Sequence, residues 1–480
     1  MFVDCRWFCH PSVHEVQGGL AVVHPDQSGV PALLVAGMQG PNRLYRLRGD
    51  VLVDEADPVL ADAGSATLSV AGADMDRDGS EEIYLQNSEV ACGPKRGQDR
   101  LLMRRGSGWI NRFDDRQLDP FLNRIAARSV AAFDRKGGGK YGFIVAAFGG
   151  PIRLFEMDPA SGCLLDAAPA VHLDEVVGAN GFAIGTLAGE DIGLFVASGV
   201  GPDLFFRRHG EATYADVASE AGFSDDPGAR AAMPVDLDGN GRLDLLLMGT
   251  TGPHRMMVWG EDGIWRDIAP ALFAEPSNAR GVVVADFDND GYQEIFTHHH
   301  GEPNRLFAWR EGGWRSIDPG GALEPSAPGL ACLAADLDGD GRLELFTSYG
   351  EGEAGRLGWF KLAEDAGYHW LRIAPLTAAG APARGARVII EAQGRRQVRM
   401  IDSGSGYLSQ GEPVAHFGLG TAIRVERVTI RWPDGTEISL KDPAIDRTHA
   451  VQHRQGCDRR SGANAADLYA WTRRLATSGA

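Results

Sequence analysis

Cysteine is scarce in this chain of 480 residues. There are six, Cys5, Cys9, Cys92, Cys163, Cys332 and Cys457, widely scattered. That spacing excludes a small fold held together by disulfides. No run of about 18 apolar residues occurs, which excludes a membrane-spanning helix. The first residues lack the apolar core of a signal peptide, being broken by Asp4, Arg6 and His10, so a cytoplasmic location is expected. Positive charge is also short. Against 65 Asp and Glu stand 47 Lys and Arg, a formal net charge of −18. Nucleic acid and anionic membrane surfaces are therefore poor partners. The chain has no Gly-x-Ser-x-Gly, no P-loop and no dinucleotide-binding fingerprint, and Gly-x-Gly pairs mean little among 63 glycines. Cys332, in the apolar run 330–335, reads as a buried thiol. The spacing of Cys5, Cys9 and His10 is not the usual one for haem or zinc, and whether they bind anything stays open.

What the chain does have is one acidic phrase written four times. The copies are Asp74-Met-Asp76-Arg-Asp78-Gly79-Ser80-Glu-Glu82, Asp236-Leu-Asp238-Gly-Asn240-Gly241-Arg242-Leu-Asp244, Asp286-Phe-Asp288-Asn-Asp290-Gly291-Tyr292-Gln-Glu294 and Asp336-Leu-Asp338-Gly-Asp340-Gly341-Arg342-Leu-Glu344. Each places oxygen-bearing side chains at positions 1, 3, 5 and 9, with glycine at 6. Calcium takes about six to eight oxygens at roughly 2.3–2.6 Å in irregular geometry. Alternate side chains can converge on one centre, the glycine supplies a positive-φ bend, and the carbonyl of position 7 (Ser80, Arg242, Tyr292, Arg342) can complete the cage. Magnesium, with its stricter octahedron, fits less well. An EF-hand is excluded, because position 12 is Leu85, Leu247, Thr297 or Thr347 rather than Glu and the flanks read as strands. One such loop could be an ordinary Asp/Gly turn. Four with identical offsets point to about four calcium sites, which would bring the charge to about −10.

Three degenerate copies align with position 1 at His24, Ala132 and Gly185. The seven anchors are then 50, 58, 53, 51, 50 and 50 residues apart. A period near 50 with four short strands per unit is the mark of a β-propeller. Later strands repeat as well, in Gly-Pro-Asn42-Arg-Leu-Tyr and Glu-Pro-Asn304-Arg-Leu-Phe, and in Thr213-Tyr-Ala-Asp-Val and Ile264-Trp-Arg-Asp-Ile. Met1-Phe-Val-Asp-Cys5 fits the fourth-strand pattern. Residues 2–6 are therefore expected to close the ring as the outer strand of blade seven, removing an open edge. The expected fold is all-β: a seven-bladed propeller over 1–366, a small β domain over 367–452 and a tail with a short helix over 453–480.

The repeats resemble FG-GAP/VCBS units, the blades of integrin-α-type propellers. His369-Trp-Leu-Arg, Gly385-Ala-Arg-Val, Gly404-Ser-Gly-Tyr-Leu-Ser-Gln410, His416-Phe-Gly-Leu-Gly420 and Arg431-Trp-Pro-Asp-Gly435 resemble the ASPIC/UnbV domain. The pair in this order is similar to the cartilage-acidic-protein family. The resemblance implies a calcium-binding protein, commonly secreted, with bacterial relatives in biosynthetic clusters. A secreted or periplasmic location is the alternative it raises, and Thr377-Ala-Ala-Gly-Ala-Pro-Ala383 stands where the family is usually Asn-rich.

In such propellers the metal loops lie on one face, and ligands dock on the other or at the axis. Here the opposite face would present His298, His299, His300, Glu302, Tyr349, Asn87, Gln39 and the arginines Arg230 and Arg280, which should be neighbours. Imidazoles beside guanidiniums could bind an anion, hold a transition metal or act as acid and base. The same residues could equally form a solvated rim. Three readings follow: a calcium-binding module for a small molecule or protein; an intracellular enzyme or scaffold of small-molecule biosynthesis using the His298–His300 face; and a secreted adhesion or matrix-type protein.

Overall fold

A computed structural model describes residues 2–5, 15–106, 108–158, 161–189, 191–210, 213–223, 228–350 and 357–454. The repeats become seven antiparallel four-stranded meanders. Blade 1 is Gln17–Val23, Ala32–Gly37, Arg43–Arg48 and Val51–Asp54; blade 2 is Thr67–Ala73, Glu82–Asn87, Arg100–Arg105 and Gly108–Asn111. Blade 3 is Ala127–Phe133, Gly142–Pro151, Arg153–Met157 and Leu164–Asp166; blade 4 is Val176–Gly185, Gly193–Val200, Leu204–His209 and Thr213–Asp216. Blade 5 is Ala229–Val235, Asp244–Gly249, Arg255–Trp259 and Trp265–Asp267; blade 6 is Ala279–Ala285, Glu294–His299, Arg305–Arg310 and Gly313–Ile317. Blade 7 takes Gly329–Ala335, Glu344–Tyr349 and Gly358–Leu362, and its fourth strand is Phe2–Asp4, paired antiparallel with Gly358–Leu362. First strands of successive blades touch, and Gln17–Val23 touches Gly329–Ala335, so the circuit closes as a propeller.

The sequence shows why each strand takes its place. First strands crowd the axis and are mostly small and buried, fully so in Gln-Gly-Gly-Leu-Ala-Val-Val, whereas the outer Val51–Asp54 buries one residue in four. The repeated polar letters are braces. The Asp or Asn ending a fourth strand accepts the N–H that opens its third: Leu44 on Asp54 (3.1 Å), Leu101 on Asn111 (3.1 Å), Phe205 on Asp216 (2.9 Å), Met256 on Asp267 (3.1 Å). The residue after Gly-Pro or Glu-Pro accepts from its own second strand: Gly37 N–H on Asn42 (2.9 Å), Ser198 on Asp203 (2.8 Å), Gly249 on His254 Nδ1 (3.1 Å), His299 on Asn304 (2.8 Å).

After the propeller comes a two-sheet domain. Ala415–Gly420, His369–Leu376 and Thr448–Gln452 form one sheet; Arg395–Met400, Arg387–Ala392, Arg427–Arg431 and Glu437–Lys441 form the other. Leu371, Ile373, Val388, Ile390, Phe417 and Ile430 fill the space between. Residues 455–480, with the expected tail helix and Cys457, lie outside the described residues, as do Cys9 and His10.

This domain sits on the face that carries the acidic loops, and one of its loops fills the axis. Ser409–Gln410 pairs in parallel with Leu20 and Ala21 of blade 1. Around it, Ser403 O accepts from Ala132 N–H (2.7 Å), Gly406 O from Val282 N–H (3.2 Å) and Ala232 O from Gly406 N–H (3.1 Å). Gln410 bonds both N–H and C=O of Gly72 (2.7 and 3.0 Å), and Ser409 Oγ donates to Cys332 O (2.9 Å). Blades 1, 2, 3, 5, 6 and 7 are all engaged. Tyr407 and Leu408 are buried at positive φ (77° and 57°), a backbone cost of roughly 1–3 kcal/mol each that the surrounding contacts must exceed. A ligand at the axis, one place expected from the resemblance, would compete with this loop.

Candidate metal centre

The four acidic loops share one hydrogen-bond scaffold. Position 6 N–H donates to one oxygen of position 1: Gly79 on Asp74 (3.2 Å), Gly241 on Asp236 (3.0 Å), Gly291 on Asp286 (2.9 Å), Gly341 on Asp336 (2.9 Å). Position 2 N–H donates to the carboxylate of position 9: Met75 on Glu82 (2.7 Å), Leu237 on Asp244 (2.9 Å), Phe287 on Glu294 (3.0 Å), Leu337 on Glu344 (2.9 Å). Position 7 N–H (Ser80, Arg242, Tyr292, Arg342) donates to the side chain of Asp78, Asn240, Asp290 or Asp340 at 2.7–2.9 Å. The backbone thus holds part of each side chain, and the remaining oxygens converge. Candidate ligand atoms lie within 4.8 Å of one another in four groups: Asp74, Asp76 and Asp78; Asp236, Asp238 and Asp244; Asp286, Asp288 and Asp290; and Asp336, Asp338, Asp340 and Glu344.

Burial, then mutual repulsion, pushes these acids up. Asp74 and Asp244 rise to about 7, Glu82 to about 9, and Glu344 to about 8. Asp286, buried and close to Asp290 and Asp288, rises to about 8 even though Arg399 opposes it. Asp236 Oδ1 and Asp286 Oδ1 are buried acceptors with no donor among the described residues. Such oxygens are costly unless a cation meets them. The donor set is all oxygen and rich in carboxylate, which fits calcium; when bound, the ion supplies the positive charge that these buried acids otherwise lack.

The docked domain closes over the loops. Arg372 Nη1 lies 2.9 Å from Asp336 Oδ2 and its Nη2 reaches Glu412. Gly418 N–H donates to Asp286 Oδ2 (3.1 Å), and His416 Nε2–H to Asn289 Oδ1 (2.7 Å). Arg395 stacks 3.6 Å over the Tyr292 ring. Gly341 (φ 83°) could not be replaced, since a Cβ there would lie 1.9 Å from Trp370. Arg384, fully buried, donates to Glu81 (2.7 Å), Val22 O (2.8 Å) and Asp402 O (3.0 Å), linking two blades to the axial loop. A cavity of about 130 Å³ remains between blades 5–7 and the domain, lined by Met233, Leu243, Cys332, Arg399 and His416.

Blade 3 departs from the expected register. Its first strand runs to Phe133, and Gly139 N–H donates to Asp134 Oδ2 (2.6 Å), so Asp134, not Ala132, stands at position 1. The run of three glycines at 137–139 hid this in the sequence. Asp134 Oδ1 is another buried acceptor without a donor among the described residues, and burial raises its carboxyl to about 6.

On the opposite face, the histidines are placed inside rather than at the rim. His298 is 0 % exposed, donates from Nδ1 to Ala331 O (3.2 Å), and burial lowers it to about 3. His299, 1 % exposed and lowered by burial to about 4, donates from Nδ1 to Thr297 O (3.0 Å) and accepts at Nε2 from Ser277 Oγ (2.8 Å). Ser277 accepts in turn from His254 Nε2 (2.8 Å), whose Nδ1 is already an acceptor. This relay ties blade 5 to blade 6. His300 is partly exposed and bridged through its backbone to Pro328. Arg230 is partly buried, its guanidinium 5.9 Å from the Tyr407 ring, and Arg280 is partly buried. Missed in the sequence were the cations Arg310, Lys361 and Arg372, whose cross-strand or interdomain position is the only signal of their role.

Comparison with known proteins bears on the whole chain. Residues 377–457 match the ASPIC and UnbV family model, and residues 236–297 match an FG-GAP-like repeat. Cartilage acidic protein 1 of Xenopus tropicalis is 35% identical over 457 residues, covering 87% of this chain and 70% of that protein. The chain belongs to the cartilage acidic protein 1 family. The Homo sapiens member is also 35% identical, over 88% of this chain and 69% of its own length. Among solved structures, the BP39L lectin from Burkholderia pseudomallei superposes with a TM-score of 0.47 at 14% identity, covering 72% of this chain and 98% of the lectin. No helix among the described residues is long and apolar enough to cross a membrane.

Proposed function

We propose that this member of the cartilage acidic protein 1 family is a calcium-stabilised propeller that serves as a binding or assembly module. Its ligands would be Asp74, Asp76, Asp78, Glu82, Asp236, Asp238, Asn240, Asp244, Asp286, Asp288, Asp290 and Glu294, with the carbonyls of Ser80, Arg242 and Tyr292. Its partner, a small molecule or a protein, would dock on the face opposite the loops. The observation that carries this reading is the convergence, in each loop, of a buried carboxylate with partly or fully exposed ones, including the donorless Asp286 Oδ1 beneath a domain that hydrogen-bonds to the blade 6 loop. Calcium would neutralise the acids and, through Asp286 and the blade 6 loop, hold the domain in place. The working boundaries are 1–366 for the propeller and 367–452 for the docked domain.

Melting of the full chain in chelator, calcium and magnesium tests the reading. Calcium should raise the midpoint well above that in chelator, with magnesium doing less; superimposable curves would overturn it. The compartment follows from affinity: submicromolar sites would load in the cytoplasm, millimolar sites only in a secreted or periplasmic setting. The enzymatic alternative draws less support, because His298 and His299 are buried and held by backbone carbonyls.

A further inference from the structure

The largest of the four acidic groups is in blade 7, where four carboxylates, Asp336, Asp338, Asp340 and Glu344, lie within 4.8 Å of one another. Among the described residues it gathers more carboxylates than any of the other three groups. It also contains a cation of its own. Lys361 Nζ lies 2.8 Å from Asp338 Oδ2, 2.8 Å from Asp340 Oδ2 and 2.8 Å from Glu344 Oε1. An ammonium has three N–H donors and no more, and these three contacts use all of them at normal charge-assisted lengths. The fourth carboxylate is also answered, since Asp336 Oδ2 meets Arg372 at 2.9 Å and its Oδ1 accepts from Gly339 N–H at 2.7 Å. No side-chain oxygen of this loop is a donorless buried acceptor, in contrast to Asp236 Oδ1 in blade 5 and Asp286 Oδ1 in blade 6.

Strand register explains why only this blade carries the ammonium. Leu345 pairs with Phe360, which sets Lys361 directly across from Glu344, the position 9 ligand. The same register puts Met103 across from Glu82 in blade 2, Val258 across from Asp244 in blade 5 and Ala308 across from Glu294 in blade 6. Three apolar residues stand where the fourth blade has lysine. In blade 6 a guanidinium does arrive two residues later, Arg310, touching Asp288, Asp290 (2.9 Å) and Glu294 (3.2 Å). It does not meet Asp286, whose Oδ1 keeps no donor.

We propose that Lys361 is the resident cation of blade 7, so that this loop takes no divalent ion while those of blades 2, 5 and 6 do. The inference rests on the calcium reading for the other blades but makes a separate claim. It has a structural consequence. Blade 7 is the blade closed by the N-terminal strand Phe2–Asp4, and its loop receives Arg372 of the docked domain. A tethered ammonium leaves ring closure and that contact independent of the calcium level.

The test is the number of calcium ions bound by the full chain, read by native mass spectrometry and equilibrium dialysis, for wild type and Lys361→Met. Removing the ammonium should add one calcium per chain. A Lys361→Met protein that binds no more calcium than wild type overturns the proposal. Should that variant fail to fold, Asp338→Asn/Asp340→Asn in the wild-type background decides: an unchanged count supports the proposal, and the loss of one ion overturns it. A wild-type chain that binds no calcium, with one ion gained by Lys361→Met, would reject the calcium reading for blades 2, 5 and 6 while leaving Lys361 as the resident cation of blade 7.

Discussion

Blades 5 and 7 carry loops that differ at two of nine positions, Asn240 against Asp340 and Asp244 against Glu344, yet the structure treats them differently. In blade 5 the residue across from position 9 is Val258, and Asp236 Oδ1 is buried without a donor among the described residues. In blade 7 that place is Lys361, and burial of Asp338, which would raise its carboxyl, is outweighed by the lysine, which holds it below the ordinary range. On the proposed reading the loop motif would specify a cage for a cation, and a side chain on the third strand would decide whether that cation is exchangeable. Four equal motifs need not mean four equal sites.

Chelation should remove the ions of blades 2, 5 and 6 together, at about 2.7 kcal/mol for each site held at a hundredfold excess over its Kd. Hydrogen exchange in chelator should then speed up in Ala229–Val235 and Asp244–Gly249 of blade 5 well before Gly329–Ala335 and Glu344–Tyr349 of blade 7; equal exchange in the two blades would remove the distinction. Arg384→Met leaves Glu81 buried without its guanidinium partner, held only by His24 N–H (2.6 Å) among the described residues, and should cost about 3–5 kcal/mol by denaturant unfolding in calcium or chelator alike. Dependence of that loss on calcium would mean that the interdomain anchor is itself ion-controlled. Asp238→Asn should remove one calcium and lower stability in calcium by about 2.7 kcal/mol, with little change in chelator.

Stability should also depend on pH. Without ions, Asp74, Asp244 and Asp286 are held at about 7, 7 and 8, above their ordinary value of 3.8. The folded chain then keeps protons that the unfolded chain has lost, so stability in chelator should fall as pH rises from about 4 to about 8. Calcium should flatten that limb. His298 and His299, lowered by burial to about 3 and 4 from 6.5, give the opposite sign: stability should fall as pH drops below about 6.5, with or without calcium. Melting midpoints across pH in the two buffers check both limbs, and an alkaline limb that survives calcium would count against the loops as sites.

Much of this was legible in the sequence because it repeats. The period, the four acidic loops and the pattern shared by residues 2–6 and other fourth strands all follow from comparing the chain with itself. Self-comparison fails where the repeat decays: in blade 3 three adjacent glycines allowed two registers, and the hydrogen bond from Gly139 to Asp134 selects the other one. It also says nothing of contacts across domains. That Gly404–Gln410 would fill the axis, or that Arg384 would reach Glu81 more than 300 residues away, has no periodic signal. The histidines were misplaced for a local reason, since the second strand of blade 6 runs to His299 and the neighbouring blade covers it. Lys361 could have been found by carrying strand register one step further, from Glu344 to its partner.

Counting the ions on the intact chain at saturating calcium by native mass spectrometry decides whether these loops hold calcium and do so unequally. One ion is expected for each of the groups of blades 2, 5 and 6 and none for blade 7, with one ion lost in Asp238→Asn and none in Asp338→Asn. A chain that binds no calcium, or a count that falls equally in both variants, would contradict this expectation.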